Sequence, residues 1–400
     1  MFNNTDLKVN NTKNNEFQTG NVILVSFSHL LHDIYSSFLS PVLPILIKNL
    51  GISYSLTSLL SVIRTLPSLA NPFIGLLADK VSLRYFIIIA PTITATIMSL
   101  LGFASSYIVL AIMLFVMGIS ASLYHVPAPV MVKKVSGNRA GMGMSFYMLG
   151  GELARTLGPL VILAAISLWG FKGAYRLIPF AIIASIILFF KLRKISVYKE
   201  FQNKNKQFGK KETVKKYSSV FLIIAAYLFF ISIIKSALTY YLPTYLNLQG
   251  GSLWLGGIAL SAYQLAGAGG TFLSGTISDK IGSKKTLLIA SITAPVLMLL
   301  FTFSEGVVLP FILLILLGLF IFASGPVLLA IITNFDAERP AFINGVYMTI
   351  SFIVGSITIM LVGVLADKFG LEATYRIISI IGFGAFPFVI LLSKQKSVKH

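Results

Sequence analysis

The 400-residue sequence contains no cysteine, only two tryptophans and few charged residues, which make up 11% of the chain. The absence of cysteine excludes disulfides, thiolate metal sites and cysteine nucleophiles. Soluble globular proteins carry about 25% charged residues, so this chain has too few to cover a water-facing surface. Hydrophobic residues make up 56% of the chain, and the mean hydropathy is +0.87. The composition therefore indicates a membrane protein with several spans.

Acidic residues are also scarce, with 13 Asp and Glu against 32 Lys and Arg, which gives a formal net charge of +19. A nucleic-acid-binding protein of this charge would be far more polar, so no nucleic-acid partner is expected. Most of the basic residues fall in the two tails and in the predicted loops on their side of the membrane. Because cytoplasmic loops are enriched in Lys and Arg, we expect both termini in the cytoplasm and the chain in the plasma (inner) membrane.

Long apolar stretches, separated by Gly, Pro and charge clusters, predict the architecture. About 20 apolar residues cross a bilayer as a helix, and these stretches do not alternate as barrel strands do. We predict an all-α polytopic membrane protein with twelve transmembrane helices in two six-helix halves. The predicted spans are residues 21–47, 54–78, 84–103, 106–132, 140–168, 173–192, 218–246, 253–278, 285–304, 307–334, 340–366 and 372–393. The predicted domains are a cytoplasmic tail at 1–20, a six-helix half at 21–192, a basic cytoplasmic linker at 193–217, a six-helix half at 218–393 and a cytoplasmic tail at 394–400.

Short motifs recur at an offset of 200 residues. The stretch Gly75-Leu-Leu-Ala-Asp79-Lys80 falls on Gly275-Thr-Ile-Ser-Asp279-Lys280, and Tyr147-Met148 falls on Tyr347-Met348. An even number of predicted spans separates the two copies, so the halves have the same orientation.

These residues carry a family resemblance. The two Gly-x-x-x-Asp-Lys stretches resemble the cytoplasmic loop motif of the major facilitator superfamily, in which further basic residues follow. The motif residues here are Gly75, Asp79, Lys80, Arg84, Gly275, Asp279, Lys280 and Lys284. Two roles stay open for them, a gate and a plain loop contact. The stretch Ser28-His29-Leu-Leu-His32-Asp33 in span one and Tyr124-His125-Val126-Pro127 are similar to the fosmidomycin-resistance branch of that superfamily. The resemblance implies a monomeric secondary transporter, not an enzyme, that rocks two halves about a midplane site and needs no cofactor.

Charged and imidazole groups lie inside the predicted spans. A charge at the centre of a span costs about 2.5–3.5 kcal/mol on insertion scales, so each needs a reason. Imidazole titrates near neutral pH, and a membrane carboxylate can exchange protons with a cavity. The proton-coupling candidates are Asp33, His29, His32, His125 and Glu152. Two alternatives stay open: a structural pair of Asp33 with Arg64 or Lys235, and mutual neutralisation of Glu152 and Arg155 within one helix.

A metal site is not predicted. His29 and His32 stand three residues apart beside Asp33, which is a spacing that metal sites use. The sequence suggests no third dedicated ligand for them.

Basic and amide groups in the spans indicate an anionic or polar substrate. The substrate-binding candidates are Arg64, Arg155, Lys235, Gln264, Asn344 and Tyr347. Buried amides need hydrogen-bond partners, which a polar substrate supplies. In span five, Gly150, Ala154, Gly158 and Pro159 predict a smooth strip for close helix packing. The spacing of Ser145, Ala154, Gly158 and Pro159 is similar to the antiporter motif of the superfamily.

Together these features predict proton-coupled efflux, by antiport, of a small polar or anionic organic compound or drug. The expected partners are that substrate, protons and the lipid bilayer. A proton-coupled uptake symporter for an organic anion or sugar is the first alternative. A membrane channel or receptor is the second.

Overall fold

A computed structural model of the chain describes residues 16–71, 74, 84–193, 210–333 and 340–394. Within these residues the regular structure is helical and contains no strand. The predicted all-α class is therefore confirmed. The helices that begin before residue 200 are α1 (Thr19–Ser36), α2 (Leu39–Leu50), α3 (Tyr54–Thr65), α4 (Arg84–Ser99), α5 (Tyr107–His125), α6 (Pro127–Val135), α7 (Ala140–Gly173) and α8 (Ile178–Leu192). Those that follow are α9 (Lys210–Leu248), α10 (Leu253–Ile281), α11 (Ser283–Phe303), α12 (Val308–Thr333), α13 (Pro340–Phe369), α14 (Leu371–Gly382) and α15 (Ala385–Lys394).

Nine helical stretches among the described residues are long and apolar enough to cross a membrane. Predicted spans five and six fall into one of these, the 56-residue stretch Gly137–Leu192, which Gly170 interrupts with a φ of 72°. Predicted spans two and eight are not among the nine, and part of span two lies outside the described residues. The chain is a multi-pass membrane protein, and the count of twelve spans stays a prediction.

The chain forms two compact units. The first comprises Met1–Leu39 and Ile63–Lys206, and the second comprises Ser40–Val62 and Gln207–His400. These units differ from the predicted halves in one segment, because residues 40–62 group with the C-terminal part of the chain. Residues 1–15, 194–209 and 395–400, which hold most of the predicted tails and linker, lie outside the described residues.

The 200-residue repeat is also visible in the packing of each unit. In the first unit, a Cβ atom added to Gly118 would lie 2.0 Å from the carbonyl oxygen of Arg64. In the second unit, a Cβ atom on Gly318 would lie 2.4 Å from the carbonyl oxygen of Tyr263. Equivalent glycines therefore let equivalent helix pairs approach closely.

Hydrogen bonds from the end of α13 hold the segment 40–62 in the second unit. The Asp367 carboxylate accepts the backbone N–H groups of Tyr54 at 2.7 Å and Ser55 at 2.9 Å, and also the Ser55 hydroxyl. The Tyr241 hydroxyl donates to the Tyr54 carbonyl at 2.7 Å and lies 2.6 Å from Ser58 Oγ. Asp367 thus satisfies the free N–H groups at the start of α3, as an N-terminal cap does.

Candidate functional site

Asp33 lies in the last turn of α1, where it meets three imidazole rings. Its carboxylate oxygens lie 3.3 Å from His29 Nε2, 2.9 Å from His32 Nδ1 and 3.3 Å from His125 Nε2. The Asp33 side chain is 13% exposed. We call these four residues the imidazole–carboxylate cluster. Four of the five predicted proton-coupling candidates therefore lie together in the first unit.

The backbone of α7 fixes the orientation of His29. Its Nδ1 atom lies 2.7 Å from the Tyr147 carbonyl oxygen, which can only accept a hydrogen bond. Nδ1 therefore carries a proton, and Nε2 is the atom that faces Asp33. The Tyr147 ring stacks on the His29 ring with their centroids 3.9 Å apart.

Both ring nitrogens of His32 are engaged. Nδ1 contacts the Asp33 carboxylate, so it donates there. Nε2 lies 3.1 Å from Thr94 Oγ1, which in turn lies 2.9 Å from Ser120 Oγ. A neutral His32 can accept the Thr94 hydroxyl proton at Nε2. The fully buried ring stacks on Tyr124 at 4.4 Å.

His125 connects the cluster to open space. It is the last residue of α5, and Pro127 begins α6 because proline suits the first turn of a helix. The side chain is 39% exposed, much more than His29 or His32.

A cavity of about 200 Å³ borders the cluster at His125. Arg64 and Asn71 line it together with serine hydroxyls, and the Arg64 guanidinium donates to the Ser36 carbonyl at 2.9 Å. The polar residues of its wall are Ser36, Arg64, Thr65, Ser68, Asn71, Ser122 and His125. A cationic guanidinium and an imidazole therefore face one small chamber inside the first unit.

Close packing of α1 on α7 positions the cluster. A Cβ atom on Gly150 would lie 2.5 Å from the Ser26 carbonyl oxygen, and one on Gly158 would lie 2.7 Å from the Ile34 carbonyl oxygen. Ala154, between them, is fully buried. A Cβ atom on Gly151 would lie 2.5 Å from His29 Cε1, so this glycine leaves the space that the ring occupies. Pro159, the last member of the predicted strip, is also buried on α7.

Among the described residues, Glu152 and Arg155 form no hydrogen bond with the imidazole–carboxylate cluster. Arg155 Nη2 lies 2.5 Å from Glu152 Oε1 on the same helix. The pairing favours mutual neutralisation, the alternative that the sequence left open for Glu152 and Arg155.

The remaining substrate candidates belong to the second unit. Lys235 Nζ lies 4.1 Å from the Phe322 ring centroid, in the range of a cation–π contact. Gln264 is 4% exposed, and Tyr347 is partly buried. The Asn344 side chain lies outside the described residues.

The second copy of the loop motif lies at a helix end. Asp279 and Lys280 are exposed in the last turn of α10, Gly282 ends that helix with a φ of +89°, and Lys284 is in the first turn of α11. Gly275 lies in α10, and none of the described neighbouring segments lies within 4 Å of its Cβ position. In the first copy, Arg84 begins α4, whereas Gly75, Asp79 and Lys80 lie outside the described residues.

Sequence reasoning missed the groups that orient the imidazoles. The Tyr147 carbonyl is a backbone atom, and the sequence gives no signal for it. Thr94 and Ser120 are two of several hydroxyl residues in apolar spans, with Thr92 and Thr96 flanking the first and Ser122 close to the second. The signal that could have found Thr94 and Ser120 is that each is a polar residue inside a predicted membrane span.

The fold and the similarity of the sequence to known proteins define the class of protein. The family model of the Major Facilitator Superfamily matches residues 25–359, so the chain belongs to this superfamily of membrane transporters and is not an enzyme. The chain is 23% identical over 365 residues to the fosmidomycin resistance protein of Escherichia coli (strain K12), with 88% of each chain covered. It is 24% identical over 395 residues to the uncharacterized MFS-type transporter YfnC of Bacillus subtilis (strain 168), covering 94% of this chain and 93% of that protein.

Solved transporters share the fold. An inward-facing bacterial homologue of the human lysosomal transporter Spinster aligns with a TM-score of 0.78 at 14% identity, covering 94% of this chain and 97% of that one. A peptide transporter POT in complex with alafosfalin aligns with a TM-score of 0.68 at 15% identity, covering 93% of each chain. The resemblance to the superfamily in the sequence is therefore confirmed.

Proposed function

We propose that the protein exports a small polar or anionic organic compound in exchange for protons. The observation that carries this proposal is the meeting, at His125, of the imidazole–carboxylate cluster with the cavity that Arg64 lines. A cation site next to an anion-attracting chamber lets the occupancy of one site affect the other.

The proposed coupling step uses the charge of Asp33. A proton that enters the cluster offsets the carboxylate charge, and its release restores that charge beside the cavity. The similarity to a fosmidomycin resistance protein supports export as the direction. The same similarity is the reason for including drug resistance in the proposed function.

Transport by proteoliposomes tests the coupling and its sign. An exchanger takes up substrate when the vesicle interior is acidic, because protons leave as substrate enters. A symporter takes up substrate when the exterior is acidic. A panel of phosphonates, sugars and amphiphilic drugs should contain a compound that enters only with an acidic interior. Uptake only with an acidic exterior would replace antiport with symport, and current without any substrate would favour a channel.

Arg64 is the proposed anion-binding side chain. Arg64→Gln should raise the KM for an anionic substrate by at least about tenfold, since a charged hydrogen bond contributes about 1.5–3 kcal/mol. Arg64→Lys should lose less, because the charge stays although the planar fork is lost. Initial-rate transport assays measure both. Equal KM values for Arg64→Gln and the wild type would remove Arg64 from the binding site.

We also propose that the chain lies in the cytoplasmic membrane with both termini in the cytoplasm. Reporter tags inserted after Lys206 and after Glu305 should then be accessible from opposite sides of the membrane. Impermeant labelling of intact cells and of inverted vesicles measures this. Accessibility of both tags from one side would contradict the proposed topology.

A further inference from the structure

We propose that the imidazole–carboxylate cluster binds a divalent first-row transition metal ion such as Zn²⁺, with His29, Asp33 and His125 as its ligands. One donor atom from each of these residues lies within 4.8 Å of the other two. His29 and Asp33 lie on α1, and His125 at the end of α5 supplies the third ligand, which the sequence did not indicate. The positions of these donor atoms are the same whether or not protons drive transport.

Two of the separations between donor atoms have the value expected around a tetrahedral metal ion. Bonds of about 2.0–2.1 Å from zinc to nitrogen and oxygen place neighbouring ligand atoms about 3.3–3.4 Å apart. His29 Nε2 lies 3.3 Å from Asp33 Oδ2 and His125 Nε2 lies 3.3 Å from Asp33 Oδ1, so each nitrogen has this separation from a different oxygen of the same carboxylate. A carboxylate can bind a metal ion through either oxygen, so Asp33 can bind an ion held by the two imidazoles through one of its oxygen atoms.

The hydrogen bond of His29 is the one that a metal ligand needs. Metal-binding histidines usually donate their second ring N–H to a carbonyl or carboxylate, which fixes the tautomer. His29 makes this bond to the Tyr147 carbonyl at 2.7 Å. Its Nε2 atom then faces a carboxylate oxygen at 3.3 Å, an arrangement that either a proton on Nε2 or a metal ion between the two atoms makes favourable.

His32 has a different role from the other two histidines. Both of its nitrogens have hydrogen-bond partners, Asp33 on one side and Thr94 on the other. Its N–H can hold the carboxylate in place while the metal binds to His29 and His125. We therefore assign three protein ligands to the metal, two imidazoles and one carboxylate. This donor set suits Zn²⁺, Co²⁺ and Ni²⁺.

The fourth coordination position is proposed to open toward the cavity. His125 belongs to both the ligand set and the cavity wall, and its exposed ring gives the ion a route to solvent. Two neutral imidazoles and one carboxylate leave a divalent ion with a net positive charge. Water or an anionic oxygen of a substrate can complete the coordination.

Metal binding to the purified full-length chain tests the assignment. The protein needs an affinity tag without histidine and prior treatment with a chelator. Calorimetric titration with ZnCl₂ should show one ion per chain, and CoCl₂ should give the visible absorption of a tetrahedral or five-coordinate Co²⁺ site. His29→Gln and His125→Gln should each weaken binding by at least about 100-fold, since even loss of an outer-shell partner costs 10–100-fold. Glu152 is a membrane carboxylate that pairs with Arg155 on its own helix, so Glu152→Gln should bind the metal ion as the wild type does.

Two outcomes would overturn the site. One is a folded, monodisperse wild-type protein that binds neither ion, and the other is unchanged affinity in His125→Gln. These measurements involve no transport. Loss of metal binding therefore leaves the proposed exporter intact, and a metal-binding chain that shows no proton-driven export refutes only the proposed function.

Discussion

Asp33→Asn should reduce substrate uptake driven by an acidic vesicle interior to the level of protein-free liposomes. Asn has the shape of Asp but carries no charge, so the cluster can no longer exchange a proton for a change of charge beside the cavity. Exchange of labelled for unlabelled substrate should continue, because it needs no net proton movement. Both assays are run with a chelator present, which keeps metal ions out of the comparison.

Glu152→Gln is the matched control for this variant. Glu152 is also a membrane carboxylate of the first unit, but Arg155 neutralises it on its own helix. Gradient-driven uptake by Glu152→Gln should therefore stay close to that of the wild type. If Asp33→Asn keeps full gradient-driven uptake, or if only Glu152→Gln loses it, Asp33 is not the coupling residue.

Gly150→Ala should destabilise the protein by about 1–3 kcal/mol, the usual range for overpacking a close contact. The added methyl group would lie 2.5 Å from the Ser26 carbonyl oxygen, and a backbone atom cannot rotate away as a side chain can. Separation of α1 from α7 would also move His29 away from the Tyr147 carbonyl. The thermal midpoint in detergent, followed by tryptophan fluorescence, measures the loss. Thiol-reactive dyes do not apply to a chain without cysteine.

Gly141→Ala provides the comparison on the same helix. Among the described residues, no atom outside its own helix backbone and chain neighbours lies within 4 Å of the position that its Cβ would take. Alanine also favours a helix over glycine by up to about 1 kcal/mol. This variant should therefore melt at or slightly above the wild-type temperature. Equal midpoints for the two variants would show that the α1–α7 contact tolerates an added methyl group.

The helical class could be predicted because a long apolar stretch in lipid can satisfy its backbone hydrogen bonds in only two ways, as a helix or in a closed barrel. The repeat was visible because equivalent positions keep similar residues, such as Gly118 and Gly318. The grouping of residues 40–62 with the second unit was not visible. It depends on contacts such as that of Asp367 with Tyr54, which lie far apart along the chain.

The candidate site could be predicted in part. Asp33, His29 and His32 were found because polar groups inside a span are costly and stand out. The approach of His125 to Asp33 depends on how α5 packs against α1, and no local pattern reports a packing distance. Every peptide unit contains a carbonyl group, so only the three-dimensional structure identifies the Tyr147 carbonyl as the group that orients His29.

The cap on α3 has a consequence for the order in which the protein is made. Asp367 is 313 residues beyond Tyr54 in the chain, so the ribosome must complete more than nine-tenths of the protein before the start of α3 receives its hydrogen-bond acceptor. During synthesis, the backbone N–H groups of Tyr54 and Ser55 depend on other acceptors such as water or lipid headgroups. The hydrogen bonds at the start of α3 can therefore form only after the last part of the chain has been synthesised.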